Sequence, residues 1–345
     1  MEDLLQINQE IIMKEILVST NEAGQRLDKL LGRYLNTAPS SFLYKMLRKK
    51  NITLNGKKAT GKEILEKEDS IKIFFSDDTW KKFSTVNIGE KKETKVSETF
   101  AKIPSLKKDQ IIYEDEHILL INKPAGVLSQ KAQPEDISIN EQMIAYLCEN
   151  GQITAEELQT FRPAVCNRLD RNTSGLVLAG KTLAGLQALS EMLKMRSMHK
   201  YYCALVEGHI DQSSRIEGYL LKDEKTNKVK ILKEDAPDAK KIITEYHPIK
   251  QLKDATLLEV LLVTGRSHQI RAHLASIGHP MIGDSKYGHV PVNRYYEEHY
   301  RVRSQMLHAQ RVVFPELFGI FSYLSGREFT APLPREFRRV MKGEA

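Results

Sequence analysis

The segment Asn167-Arg168-Leu169-Asp170-Arg171-Asn172-Thr173-Ser174-Gly175-Leu176 puts a carboxylate in a polar turn, between two arginines and just ahead of an apolar run. Functional groups concentrate in such loops when a rigid scaffold carries them. Asp170 is therefore the first candidate for chemistry, and a structural Arg–Asp ion pair is the competing reading. The stretch Gly175 to Thr182 also spells G-x-x-x-x-G-K-[ST], the phosphate cradle of nucleotide hydrolases. In a real cradle a strand precedes the first glycine, and the residues between the glycines form an open loop of backbone amides. Here polar Asn172-Thr173-Ser174 come first and Leu176-Val177-Leu178-Ala179 lie between the glycines, so the interval reads as a strand and ATP or GTP chemistry is set aside. His268, His273, His279 and His289 raise the question of a metal. The first two are five residues apart, no H-x-x-x-H occurs, and no cysteine stands near them, so no metal is expected.

Charge points to the partner. Between Gly24 and Lys62 there are ten basic residues, among them Arg26, Lys29, Lys45, Arg48 and Lys57, against the single acid Asp28. That segment carries +9 while the whole chain carries +7, so the basicity is local. A cluster this lopsided is expected to face a polyanion. With 345 residues and 41% hydrophobic composition the chain suits two globular domains and not disorder. Acidic residues follow Met1 and no apolar run is long enough to cross a bilayer, so a cytoplasmic protein with no membrane partner is expected. Cys148, Cys166 and Cys203 are widely spaced and read as reduced core residues.

The elements that would carry these groups can be read from periodicity. Leu27, Leu30, Leu31 and Leu35 recur at helical spacing, as do Leu43, Met46 and Leu47. Ile52-Thr53-Leu54 runs into Asn55-Gly56, a tight-turn dipeptide, and Ser70 to Phe74 alternates as a strand. Residues 77–109 are rich in Lys, Glu, Ser and Thr and read as a linker, with the second domain over 110–340. In that domain Ile111 to Tyr113, Ile118 to Ile121, Tyr201 to Val206 and Leu257 to Val263 read as strands. Leu183, Leu186, Leu189 and Leu193 form a helical stripe. A further helix is expected with Ser267 as its cap, Ile270, Leu274 and Ile277 on its core face, and an end at Gly278 and Pro280. Ser267 and Arg271, four residues apart, share another face.

Two resemblances follow from these pieces. Arg26-Leu27-Asp28-Lys29, Ser41 to Lys50 and Leu54-Asn55-Gly56-Lys57 make residues 14–76 similar to the alpha-L RNA-binding motif of ribosomal protein S-four. The Gly and Arg common in that motif are replaced by Lys50 and Ser40, so individual contacts are not carried over. Asn167 to Gly175 resembles the H-R-L-D-x-x-T-S-G signature of the RluA-type pseudouridine synthases. Lys200-Tyr201-Tyr202-Cys203-Ala204-Leu205-Val206, Thr264-Gly265-Arg266-Ser267-His268-Gln269-Ile270-Arg271, His279-Pro280-Met281-Ile282-Gly283-Asp284 and Lys123-Pro124-Ala125-Gly126 match further segments of the same family. The leading His of the signature is Asn167 here.

The resemblance implies an α+β catalytic domain with a mixed, largely antiparallel sheet and flanking helices, placed behind the small RNA-binding domain. It implies isomerisation of uridine to pseudouridine in RNA, most closely as in the RluC and RluD branch acting on large-subunit ribosomal RNA, by a monomer that uses no cofactor. Asp170 would be the catalytic carboxylate, as nucleophile or as base toward a ribose proton. Arg271 would pair with it, and a nearby cation favours an ionised acid. Tyr202 would stack on the uracil, and Arg168 would fill the space left by a flipped nucleotide. Lys200, Arg266 and His268 fall in the matched motifs as RNA-binding candidates, together with Arg26, Lys29, Lys45, Arg48 and Lys57 of the basic segment. The competing class is a non-catalytic, ribosome-associated RNA binder.

Overall fold

A computed structural model describes residues 11–85, 100, 102–155, 157–223 and 228–343. The opening residues on which the absence of a leader rests, and residues 86–99 of the expected linker, lie outside this set.

In the N-terminal part, β1 (Ile11–Leu17), β2 (Ile52–Leu54), β3 (Lys57–Lys58) and β4 (Ser70–Ser76) form a sheet of order β1-β4-β2-β3. The Asn55-Gly56 turn closes the β2–β3 hairpin with both residues at positive φ, 51° and 74°, the conformation a two-residue hairpin loop demands. The helices Leu27–Tyr34 and Ser40–Arg48 cover the sheet, and their leucine stripes meet Ile52, Ile71 and Ile73 in one core. A helix at Asp77–Phe83 falls in the stretch read as linker. Ser76 caps it and Trp80, only 5% exposed, completes the small core, an apolar anchor that its charged neighbours hide from any periodicity.

The remaining strands are β5 (Ile111–Glu114), β6 (Ile118–Lys123), β7 (Ala164–Val165), β8 (Ser174–Gly180), β9 (His199–Glu207), β10 (Ser214–Asp223), β11 (Lys228–Leu232), β12 (Lys240–Gln251), β13 (Ala255–Leu262), β14 (Leu307–Val313) and β15 (Glu328–Thr330). They join in one eleven-stranded sheet of order β11-β10-β12-β13-β9-β14-β8-β6-β5, with β15 beside β14 and β7 beside β8. Every pairing is antiparallel except β14 with β8, so the sheet is mixed and the fold is α+β. Helices on both faces explain why the central strands read as unbroken apolar runs. Leu119, Ile121, Val177, Ala179, Tyr202 and Ala204 meet the helices Ile139–Glu149 and Gln269–Ser276, whereas Leu120, Leu176 and Leu178 meet the helix Leu183–Met195. Tyr202 is thereby set on the face that carries the Gln269–Ser276 helix.

The two parts touch through a buried carboxylate. Glu22, 2% exposed, accepts hydrogen bonds from Tyr34 Oη at 3.0 Å and Thr160 Oγ1 at 2.6 Å, and Arg33 Nη1 donates to the Thr160 carbonyl at 2.5 Å.

Candidate active site

The Asp170 turn is held on both sides by the backbone chemistry of its neighbours. At its entrance Asn167, which replaces the signature histidine, accepts from Leu178 N–H at 2.7 Å and donates to Leu176 O at 3.3 Å, fixing the turn to β8. Beneath it Lys123, wholly buried, donates to the carbonyls of Pro124, Val127 and Arg171 at 2.9, 2.8 and 3.0 Å. Three carbonyls use all three N–H groups of an ammonium. Burial nevertheless pushes this amine down to about 7, with the charge of Asp170 opposing. Ser129 Oγ accepts from Leu169 N–H and donates to Leu169 O, and Thr173 N–H closes the turn on the Asp170 carbonyl.

The exit is locked to β14. Gln305 Nε2 donates to Thr173 Oγ1 at 3.2 Å. His308 Nε2 faces the Ala331 carbonyl, which can only accept, so His308 Nδ1 takes the proton of Ser174 Oγ at 2.9 Å. At Gly175 φ is +109°, and an added Cβ would lie 2.2 Å from Ala309 O. The glycine thus serves close strand packing. Gly180 likewise leaves no room against Leu186, at 2.4 Å from its Cα. The phosphate-cradle lettering is therefore a fully buried strand followed by a helix capped by Thr182, and Lys181 is paired with Glu114 at 2.7 Å.

Asp170 itself is 26% exposed and lines a cavity of about 830 Å³. Its Oδ2 accepts from Arg271 Nη1 at 2.8 Å, and Oδ1 takes no hydrogen bond among the described residues. One oxygen is oriented by Arg271 and the other faces no donor among the described residues. Arg271 is buried and spends its other arms on Asp284, Nε to Oδ2 at 2.7 Å and Nη2 to Oδ1 at 2.8 Å. Burial works against its charge, but the hydrogen bonds and charges of Asp284 and Asp170 outweigh that and raise its pKa further. Asp284 is wholly buried and also accepts from the amides of Lys286 and Tyr287. Burial opposes its ionisation, yet Arg271 and those amides hold its carboxyl below the usual range.

The helix that carries Arg271 starts differently from the sequence expectation. Ser267 does not cap it. His268 occupies the cap position in the left-handed conformation, φ 57° and ψ 12°, without a side-chain cap. Gln269 does the organising. Its Oε1 accepts from Arg266 N–H and Thr264 Oγ1, while its Nε2 donates to Ile243 O and Thr244 Oγ1. The glutamine reaches β12, which a serine at position 267, facing the cavity, does not. Ile270 and Leu274 are buried as expected, and the chain leaves the helix at Ile277, ahead of Gly278.

Tyr202, 6% exposed, borders the same cavity, and burial together with the charge of Asp170 drives its phenol above the ordinary value, so it stays a neutral O–H. Lys200, Arg168, Arg266 and His268 are also in the wall. Burial and the neighbouring Arg196 push the Lys200 amine down. Arg168 is exposed and makes no ion pair among the described residues. Burial keeps His268 below the usual imidazole value, with Nε2 3.9 Å from Asp170 Oδ2. The structure therefore brings Asp170, Tyr202, Arg271, Arg168, Arg266, His268 and Lys200 together. Arg26, Lys29, Lys45, Arg48 and Lys57 lie apart on the N-terminal part. Lys29, Lys45, Arg48 and Lys57 are exposed there, and Arg26 is forked onto Asp28 at 3.1 and 2.7 Å. Sequence reasoning assigned no role to Asp284, Lys123, Gln269 or Tyr287. Their only signal was membership in the matched segments or, for Tyr287, the three residues separating it from Asp284.

The geometry agrees with the comparisons. The sequence profile described as RNA pseudouridylate synthase matches residues 117–276. The ribosomal large subunit pseudouridine synthase C of Vibrio cholerae is 30% identical over 303 residues, covering 86% of this chain and 87% of that protein. The protein of the same name from Escherichia coli is 32% identical over 282 residues, 80% of each chain. The solved structure of human RNA pseudouridylate synthase domain containing 4 superposes with a TM-score of 0.54 at 18% identity, covering 72% of this chain and 95% of its own, a likeness of fold. The profile spans the Asp170 turn, the Tyr202 strand and the Arg271 helix, and the relatives align over most of both chains, so this chain belongs to the RluA-type RNA pseudouridine synthases, in the RluC branch.

Proposed function

We propose that this protein isomerises uridines of large-subunit ribosomal RNA to pseudouridine, with Asp170 as the reacting carboxylate. One observation carries the reading. Among the described residues the cavity wall holds seven basic side chains, Arg168, Arg171, Lys200, Lys222, Arg266, Arg271 and Lys286, and Asp170 is its single carboxylate. Such a wall suits a phosphate backbone, and a lone partly exposed carboxylate within it suits a reaction on the nucleoside.

The isomerisation breaks the bond from ribose C1′ to uracil N1, turns the base, and joins C1′ to C5. N1 gains a proton and C5 loses one, so no atom is exchanged for a co-reactant. Asp170 Oδ1 would attack the nucleoside or take a ribose proton, while Arg271 holds Oδ2. Tyr202 would stack on the base, and the proton leaving C5 would pass to solvent. Reaching the uracil requires flipping the nucleotide, at a cost of a few kcal/mol, and Arg168 stands exposed at the wall to fill the gap. The basic N-terminal part would grip RNA as an alpha-L motif of the S-four type, with Lys29, Lys45, Arg48 and Lys57 at phosphates. The enzyme would work as a cytoplasmic monomer.

The test is pseudouridine sequencing of ribosomal RNA from cells with and without the gene. Specific large-subunit uridines should lose modification in the deletion and regain it with the wild-type copy. A copy in which Lys45, Arg48 and Lys57 are all Glu should restore less. An unchanged map would leave the non-catalytic RNA binder as the better account.

A further inference from the structure

A tyrosine outside the reacting set lies within hydrogen-bond distance of the histidine beside Asp170. Tyr287 Oη accepts the backbone N–H of Val229 at 2.9 Å and lies 3.0 Å from His268 Nδ1. A phenolic oxygen already taking one N–H has its own proton to give. Among the described residues His268 Nδ1 is the acceptor in reach. If Nδ1 accepts, the neutral ring carries its proton on Nε2, the atom that stands 3.9 Å from Asp170 Oδ2. The ring of Tyr287 also lies beneath the Arg271 guanidinium, at 5.4 Å from centroid to carbon. One side chain therefore touches both groups that flank the carboxylate.

Two further observations support a purpose. His268 holds a left-handed backbone conformation, which is unfavourable for a non-glycine residue and persists only where the surroundings enforce it. Val229 belongs to β11, the edge of the large sheet, so the chain of hydrogen bonds runs from that edge to the reaction centre. Burial keeps the Tyr287 phenol protonated and the His268 ring neutral.

Building on the synthase reading, we infer that Tyr287 is a positioning residue that locks His268 as an Nε2–H donor aimed at Asp170 Oδ2. In the complex with RNA that donor closes on the carboxylate beside Arg271 and holds Oδ1 toward the sugar. A gap of 3.9 Å in the free enzyme is what such a contact shows before substrate tightens it.

The experiment uses the full-length chain labelled with 15N-histidine, whose long-range 1H–15N spectra report each ring's tautomer, with His268→Gln supplying the assignment. Wild type should show His268 as the Nε2–H form. Tyr287→Phe keeps the ring over Arg271 and removes the hydroxyl, so His268 should become a mixture of tautomers. In the same variant kcat on ribosomal RNA should fall about tenfold with little change in KM. His268→Gln, whose amide nitrogen sits where Nε2–H did, should keep more kcat than His268→Ala. An Nδ1–H ring in wild type overturns the inference, as does a Tyr287→Phe protein with unaltered tautomer and rate. Equal losses in the Gln and Ala variants overturn it too. The spectra need no turnover, so they decide this point even if the RNA substrate has been misassigned, and the wild-type spectrum and the His268 pair decide it if Tyr287→Phe does not fold.

Discussion

Arg271 is a buried guanidinium shared between two carboxylates, and the two are not equivalent. Asp284 is sealed and takes two of its arms, while Asp170 is open to the cavity and takes one. The sealed partner anchors the cation so that the open one is oriented by a fixed group. Asp284→Asn should keep the shape but leave Arg271 with only Asp170 for charge balance. Removing one partner of a buried pair costs about 3–5 kcal/mol, which urea denaturation would register. A displacement of the guanidinium by an ångström should lower kcat on the order of 100-fold with a smaller change in KM. A variant with wild-type kcat would remove Asp284 from the site. At this scale Asp170, Tyr202 and Arg271 were legible because their motifs carry them. Asp284 was not, since its burial and its partner thirteen residues away are properties of the folded chain. Asn167 shows the reverse case, a departure from the signature whose amide finds a structural use on β8.

Among elements, the one parallel pairing in the large sheet matters most, because β14 alongside β8 fixes the exit of the Asp170 turn. Its polar lock is the buried pair Ser174 and His308, and burial holds His308 down to about 4. An imidazole depressed on folding binds its proton in the unfolded chain first. The unfolded state therefore holds more protons between about pH 6.5 and 4, and stability falls as pH drops through that window. Between pH 7 and pH 5 His308 alone should cost on the order of 2 kcal/mol. Urea denaturation at the two pH values should show that loss in wild type and a smaller one in His308→Asn, which keeps an acceptor for Ser174 and has no proton to gain. Equal losses would mean that His308 is not the neutral lock described. Periodicity made the leucine helices and the apolar strands legible, and Asn55-Gly56 announced its hairpin. The helix start at His268 was missed because a glutamine reaching across to β12 does what a serine cap does locally. The helix around Trp80 was missed because two aromatics, Trp80 and Phe83, among charges are too few to make a pattern.

The whole molecule carries its charge unevenly. A part with +9 between Gly24 and Lys62 stands beside a sheet whose cavity gathers, among the described residues, further basic side chains around one carboxylate. The contact at Glu22, Tyr34 and Thr160 also takes the half-buried Arg33 of the basic segment, and it leaves the exposed Lys29, Lys45, Arg48 and Lys57 outside it. That unevenness was legible from the charge count, whereas the contact was not, because Glu22 and Thr160 are 138 residues apart. On the reading proposed above, the reaction runs through the Asp170 carboxylate. Its most direct test is release of tritium from ribosomal RNA labelled at uracil C5, comparing wild type with Asp170→Asn at matched RNA affinity. Wild type should release tritium in step with pseudouridine formed, and the variant, which keeps the shape and loses the carboxylate, should release none above background. Turnover by Asp170→Asn at the wild-type rate would contradict the account.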